Sequence, residues 1–235
     1  MSKPDNSLGG ASSPDPKLSG IDWSSIISED SENATGSAWF GDEIDTVRYE
    51  SDLLVIKLVT GTSLVSVSSR ETASTLTENQ QEPRLPFPAE VNRVDGQDPA
   101  VMCLAPGYWN LFSEFLNSEQ LLEHVRALQT SPVTAVVDFS AAHCVLRVAG
   151  DAAPWLLNKL GGMDFLTMAN EQPACCRTRL EHAAVTVHYH KPGGHRRQCV
   201  FDLIINRSYV SYLWSLLLAS APHAEELFKH HGNPK

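Results

Sequence analysis

Residues 199–219 read CVFDLIINRSYVSYLWSLLLA, and two periodicities meet within this stretch. In residues 199–205, which include Asp202, successive side chains would point to opposite faces of a strand. Because both faces are mostly apolar, the strand is expected to be covered on both sides. Asn206 or Ser208 can cap a following helix. From Tyr209 onward the residues are apolar nearly all round, which predicts a helix that is buried or that offers its outer face to another protein.

Working outward, short apolar runs separated by turn residues predict further strands and helices. The expected elements are a hairpin over 53–67, two strands about the turn at 106–107, a helix capped by Ser118, strands over 134–139 and 144–149, a helix over 153–160, a hairpin of 176–191 with 198–205, and a last short helix over 223–229. Hairpins dominate this order, so the sequence predicts an α+β fold with mostly antiparallel sheets and packed helices.

The first 52 residues differ from the remainder in composition. They carry eleven acidic and three basic residues, a net charge of −8 out of −10 for the whole chain, and they are rich in Ser, Gly and Pro. Such a segment buries too little apolar surface to offset its ordering entropy. We therefore predict a disordered acidic extension over 1–52 and one folded domain over 53–235, with a short apolar cluster over 21–27 that could fold on a partner.

Several classes of protein are disfavoured by composition. No basic face is evident, which argues against nucleic acid as a partner. No apolar run approaches the ~20 residues that cross a bilayer, and the start has no apolar core of a secretory signal, so no membrane partner and a cytoplasmic location are predicted. The cysteines are odd in number, irregularly spaced and without a CxxC pair, which predicts free buried thiols: Cys103, Cys144, Cys175, Cys176 and Cys199.

One histidine pair is a candidate metal site. His188 and His190 alternate with Tyr189, so both rings project from one face of a strand, and His195 or Cys199 could add a third zinc ligand. No further ligand has a recognisable spacing and the hairpin end is expected to be wet. Two solvent-facing histidines are therefore the preferred interpretation, and no metal ligands are predicted.

Nucleophilic and acid–base sites are weighed in the same way. Adjacent cations (Arg177, Arg179) would lower a thiol pKa at Cys175 or Cys176, but neighbouring strand residues point to opposite faces, which argues against a shared role. Asp138 and Asp202 interrupt apolar strands and Asp164 lies in a loop; each is either a catalytic base or structurally paired. Pairing is favoured, with four candidate arginines: Arg147, Arg177, Arg179 and Arg207. No catalytic or cofactor-binding residue is predicted.

The order of several short motifs resembles the gamma subunit of heterotetrameric sarcosine oxidase. The motifs are Leu85-Pro86 with Asn92, Leu104-Ala105-Pro106-x-x-Trp109-x-Leu111, Val137-Asp138-x-Ser140, Val148-Ala149-Gly150 with Asp164 downstream, Cys176-Arg177-Thr178-Arg179-Leu180, and Phe201-Asp202-Leu203-x-x-x-Arg207-Ser208-Tyr209-x-x-Tyr212-Leu213-Trp214. They span roughly residues 53–221.

The resemblance implies a fold like the folate-binding domain of the glycine-cleavage T-protein. It implies a subunit without catalytic residues of its own, packed on a large alpha subunit with beta and delta subunits, whose partners hold FAD, FMN, NAD and tetrahydrofolate. The complex would oxidise an N-methyl amino acid and pass the one-carbon unit to tetrahydrofolate. It further predicts an exposed apolar patch for the partner, involving Trp109, Trp155 or Trp214.

Three alternatives stay open. The chain could be a gamma-type subunit of the related N-methylglutamate dehydrogenase. It could be a stand-alone folate-dependent aminomethyltransferase, with Asp138 or Asp202 orienting the folate. It could also be a small metal-binding module that uses His188, His190 and Cys199.

Overall fold

The computed structural model describes residues 48–78, 85–126, 134–169, 174–190 and 199–232. Most of the predicted acidic extension, residues 1–47 with the cluster over 21–27, lies outside the described residues, as do His195 and the turn at 192–194. Residues 48–50, inside the predicted extension, form the first strand of the fold.

Eleven strands and five α-helices make up the described part of the chain. Strands β1 to β11 are Arg48–Glu50, Val55–Val59, Ser63–Ser69, Val94–Asp95, Ala100–Ala105, Tyr108–Ser113, Thr134–Asp138, His143–Ala149, Ala174–Leu180, Ala183–His190 and Val200–Asn206. Helices α1 to α5 are Ala73–Glu78, Ser118–His124, Ala153–Leu160, Phe165–Met168 and Val210–His231.

The strands form two sheets in which every pairing is antiparallel. Sheet A has the order β1-β2-β8-β11-β10-β9, and sheet B has the order β4-β5-β6-β3-β7. The predicted α+β class with antiparallel sheets is therefore confirmed.

The two sheets stack face to face between helices. Between them, Leu64 and Phe112 of sheet B share one apolar cluster with Val145 and Ile204 of sheet A. In sheet B, the residues next to Leu64 and Phe112 along each strand point to the opposite, outer face. That face packs against α1 and α2. On the outer side of sheet A the ring of Phe201 meets that of Phe165 in α4, and α3 packs against both α4 and α5.

The deciding stretch folds as its two periods predict. In β11 the residues are buried on both faces, and the side chain of Asn206 then accepts a hydrogen bond from the N–H of Ser208 in a short 3-10 turn. The helix that follows does not stop near residue 221: α5 runs through Pro222 to His231, so the separate helix over 223–229 is wrong. Pro222 is exposed, which lets solvent bind the carbonyl that its missing N–H leaves free. In the described ranges, α5 and the other helices are too short or too polar to cross a bilayer.

The predicted first hairpin over 53–67 is wrong. Strand β2 pairs with β1 and β8 in sheet A, whereas β3 pairs with β6 and β7 in sheet B. The turn at residues 60–62 therefore carries the chain from one sheet to the other. Alternation alone cannot distinguish these cases, because each strand has one face toward the inter-sheet core in either arrangement.

The long strand predicted over 176–191 is two strands. Glu181 has a φ of 49°, and with His182 it closes a tight turn between β9 and β10, whose register pairs Leu180 with Ala183. A non-glycine residue in the left-handed region is uncommon, so the sequence carries no strong turn signal there.

Two helix starts also differ from expectation. Asn117, not Ser118, caps α2: its side chain accepts a hydrogen bond from the N–H of Gln120, whose own side chain accepts from the N–H of Asn117. Asp164, expected in a loop, instead caps α4 with its side chain, and the helix begins at Phe165. The sequence there has no periodic pattern that would indicate a helix.

Candidate functional site: a charged cluster between the sheets

Strand register brings four ionisable side chains to one face of sheet A. Across the β10–β11 pair His188 lies opposite Asp202, and across the β8–β11 pair Arg147 lies opposite the same aspartate. His190 is two residues along from His188 and therefore projects from the same face. Glu114, directly after β6, reaches this group from sheet B. The cluster thus bridges the two sheets.

Arg147 holds two carboxylates at once. Its Nε donates to Asp202 Oδ1 at 2.7 Å and its Nη2 to Asp202 Oδ2 at 2.8 Å, while Nη1 and Nη2 donate to Glu114 at 3.2 and 2.6 Å. Asp202 is 0% exposed. Burial by itself would raise the pKa of Asp202, but the hydrogen bonds from Arg147 and then His190 outweigh it and hold that pKa well below the usual range. The aspartate is therefore ionised and engaged.

The two histidines occupy different environments. His190 is half-buried, and its Nε2 lies 2.5 Å from Asp202 Oδ2. His188 is 3% exposed, its ring centroid lies 3.9 Å from that of His190, and the edge of Phe112 packs against it. Burial, and next the neighbouring His190, lower the pKa of His188 to about 3, so its imidazole is neutral. Its Nδ1 is buried without a hydrogen-bond partner.

The expectation of two solvent-facing histidines is therefore wrong for His188. The error comes from the hairpin end, which was expected to be wet, whereas sheet B covers this face of β10. Among the described residues, the potential ligand atoms that lie within 4.8 Å of one another belong to His188, His190 and Asp202. Cys199, the third ligand weighed from sequence, is not in this group.

The other two aspartates considered from the sequence, Asp138 and Asp164, accept hydrogen bonds from residues two or three positions along the chain. Asp138 accepts hydrogen bonds from the N–H and the hydroxyl of Ser140 at 2.9 and 2.7 Å, just after β7. Asp164 accepts from the N–H groups of Leu166 and Thr167 at the start of α4. The prediction that Asp202 is paired with an arginine is confirmed, with Arg147 as that arginine.

The adjacent cysteines lie on opposite faces of β9, as predicted. Cys175 pairs in register with His188 and Cys176 with Val187. Burial raises the pKa of both thiols, that of Cys176 to about 11, so the nearby arginines do not produce a thiolate. All five cysteines are free thiols; Cys199 is half-buried and the other four are buried.

The predicted apolar patch is wrong for two of its three tryptophans. Trp109 is 2% exposed and donates its indole N–H to the carbonyl of Pro88 at 2.8 Å, and Trp214 is 4% exposed. Trp155 is half-buried and stacks on His231. The large apolar side chains that are exposed in the described part of the chain are Val91, Phe115, Val137, Tyr209 and Tyr212.

Two solved structures share this arrangement of stacked sheets and helices. A chain of the heterotetrameric sarcosine oxidase from Corynebacterium sp. U-96, in complex with pyrrole 2-carboxylate, matches with a TM-score of 0.64 and 18% identity over 82% of this chain and 96% of that one. The glycine cleavage system aminomethyltransferase T from Bartonella henselae matches with a TM-score of 0.52 and 12% identity over 71% of this chain and 45% of that one.

These similarities define the class of fold: a two-sheet α+β domain shared by the T-protein and a chain of a sarcosine oxidase. No protein-family model matches the sequence, and no curated protein matches it. At 18% and 12% identity the likeness establishes the fold alone.

Proposed function

We propose that the chain is a non-catalytic, gamma-type subunit of a multi-subunit, flavin-dependent sarcosine oxidase. The complex would demethylate an N-methyl amino acid oxidatively and pass the one-carbon unit to tetrahydrofolate. The large alpha subunit would be its direct partner, with beta and delta subunits beside it, and FAD, FMN, NAD and tetrahydrofolate would be held by those partners.

The observation that carries this proposal is the extent of the match to sarcosine oxidase. The alignment takes in 82% of these 235 residues and 96% of the matched chain, so that chain has about 200 residues. It is therefore a small chain matched almost from end to end. The aminomethyltransferase, by contrast, is matched over 45% of its length. The likeness in size and completeness favours the subunit role.

The charged cluster between the two sheets supports a structural rather than a catalytic role for its residues. A catalytic carboxylate needs a free oxygen and a pKa near the working pH. Both oxygens of Asp202 accept hydrogen bonds from Arg147, and Oδ2 also contacts His190. The pKa of Asp202 is shifted away from neutral pH. Such a group suits the joining of two sheets better than proton transfer.

Exposed aromatic rings support a binding role. Tyr209 and Tyr212 are 46% and 40% exposed; Tyr209 directly precedes α5 and Tyr212 lies three residues on, in its first turn. Phe115 is 86% exposed on a loop held by Asp98 and Ser113, whose side chains accept hydrogen bonds from its N–H. Aromatic side chains are favoured contacts at protein interfaces.

Co-expression tests the proposal. The full chain, carrying an affinity tag, is expressed with the alpha, beta and delta subunits of a sarcosine oxidase from the same organism. A stoichiometric complex that oxidises sarcosine, together with an isolated chain that turns nothing over, is the expected result. An isolated monodisperse chain that leaves the other subunits in the flow-through contradicts it. Replacing these partners by those of an N-methylglutamate dehydrogenase tests the related alternative.

A stand-alone folate-dependent aminomethyltransferase is the second candidate, and the T-protein fold favours it. A cleft of about 640 Å3 lies between residues 90–93 and α4, and Glu90 and Asp164 are among its lining residues. Asp164 already caps α4, and the two folate candidates from the sequence, Asp138 and Asp202, are engaged in the hydrogen bonds described above. Calorimetry of the isolated chain with tetrahydrofolate decides the matter: saturable heat supports the transferase, and its absence removes it.

A further inference from the structure

His188 is one buried polar side chain whose environment the subunit role leaves unexplained. An imidazole has two ring nitrogens, and burying one without a partner costs free energy that a phenylalanine or leucine at the same position would avoid. His188 Nδ1 is buried in this way. A bound metal ion would give a buried ring nitrogen of this kind a partner.

From the grouping of His188, His190 and Asp202 around one point between the sheets, we infer that this chain binds a divalent transition-metal ion, Zn2+ above all. Two imidazoles and one carboxylate form a donor set that zinc uses, with a fourth position left for water or another ligand. The expectation of no metal ligands rested on the lack of a further ligand and on a wet hairpin end. Asp202 supplies a third donor, and His188 is buried. The metal site is independent of the subunit role proposed above.

The present separations bracket those of a zinc site. With bonds of about 2.1 Å and tetrahedral angles, two ligand atoms lie about 3.4 Å apart. The ligand atoms of the three residues lie within 4.8 Å of one another, and His190 Nε2 lies 2.5 Å from Asp202 Oδ2. Binding therefore requires His190 Nε2 to move about 1 Å away from Asp202 Oδ2.

Charge favours a cation here. Arg147 contributes one positive charge and faces two carboxylates, Asp202 and Glu114, so these three groups together carry one net negative charge. A divalent ion changes that to one net positive charge. Arg147 donates hydrogen bonds to both oxygens of Asp202 and so orients this carboxylate, as an outer-shell partner does.

Zinc content and affinity test the inference on the full chain, purified without a polyhistidine tag. Zn2+ is titrated against a chromophoric chelator, and Co2+ is titrated separately for the visible absorption of a tetrahedral site. The expected result is one tight equivalent. His190→Gln should weaken binding by more than the roughly 10- to 100-fold that loss of an outer-shell partner costs. This ring is half-buried, so the variant is expected to fold, which circular dichroism checks.

The double variant His230→Gln/His231→Gln is the matched control. These two exposed histidines at the end of α5 are the obvious place for adventitious metal. They should be dispensable for the tight equivalent, and His188→Phe, which keeps the buried ring volume, should abolish it. The inference is overturned if the wild-type chain takes up less than a tenth of an equivalent, or if the control loses the metal while His190→Gln keeps it.

Discussion

Replacing Arg147 by methionine should destabilise the fold severely. The change removes two hydrogen bonds from Asp202, which is 0% exposed, and two from Glu114, which is half-buried. Glu114 can recover solvent, whereas Asp202 is left as a buried charge with His190 alone. Breaking a buried pair from one side costs about 3–5 kcal/mol. Against a typical free energy of unfolding of about 5–15 kcal/mol, this is a large fraction.

Urea unfolding followed by circular dichroism measures the loss, with a chelator present so that metal does not contribute. Arg179→Met is the matched control: Arg179 is exposed in β9, and its replacement should change stability by less than about 0.5 kcal/mol. The double variant Arg147→Met/Asp202→Leu removes both members of the pair and should be more stable than Arg147→Met alone, because no buried charge is left unpaired.

The effect should depend on pH in a definite direction. The pKa of Asp202 is depressed in the folded wild type, so its contribution is present above the ordinary carboxyl pKa of about 3.9 and is lost as the pH falls. Without Arg147, burial raises that pKa, and the variant loses stability as the pH rises. The difference between wild type and variant should therefore shrink from pH 7 to pH 4. A loss below 1 kcal/mol, or a difference that stays constant with pH, would refute the reasoning.

Two further predictions concern the backbone and the thiols. Gly150→Ala should lower the free energy of unfolding, measured in urea, by more than about 2 kcal/mol, because φ is +121° and a Cβ would collide with the carbonyl of Leu53. Gly162→Ala is the control and should leave stability unchanged, because the space around Gly162 is open. Equal effects of the two changes would contradict this prediction. Iodoacetamide at pH 7 should modify the native chain slowly, because burial raises the pKa of the Cys199 thiol to about 11. Cys199 should react first, because it is half-buried whereas the other four cysteines are buried. Mass spectrometry that shows Cys175 modified first would contradict this prediction.

The fold class was accessible from sequence because strand and helix periods are local properties. The alternation about Asp202, the cap at Asn206 and the leucine-rich helices all correspond to observed elements. Sheet membership was not accessible in the same way: β2 and β3 are three residues apart and belong to different sheets. Which partner a strand takes depends on contacts with distant strands, and hydrophobic alternation does not encode those.

Only part of the charged cluster between the sheets could be predicted from the sequence. An aspartate inside an apolar strand and an arginine in another predicted a pair, and Asp202 with Arg147 is that pair. Glu114 was missed because it follows β6 in sequence and reaches the pair only through the stacking of the sheets. His188 was misplaced for the same reason, since strand alternation shows that it shares a face with His190 but not that sheet B covers the face.

The most direct test of the proposed role is light scattering on the full chain after size-exclusion chromatography, alone and with the large subunit of a sarcosine oxidase from the same organism. The proposed role predicts a stable complex at one copy of each chain, and no sarcosine oxidation or tetrahydrofolate binding by the chain alone. Turnover or tight tetrahydrofolate binding by the solitary chain, without any association with the large subunit, would contradict it.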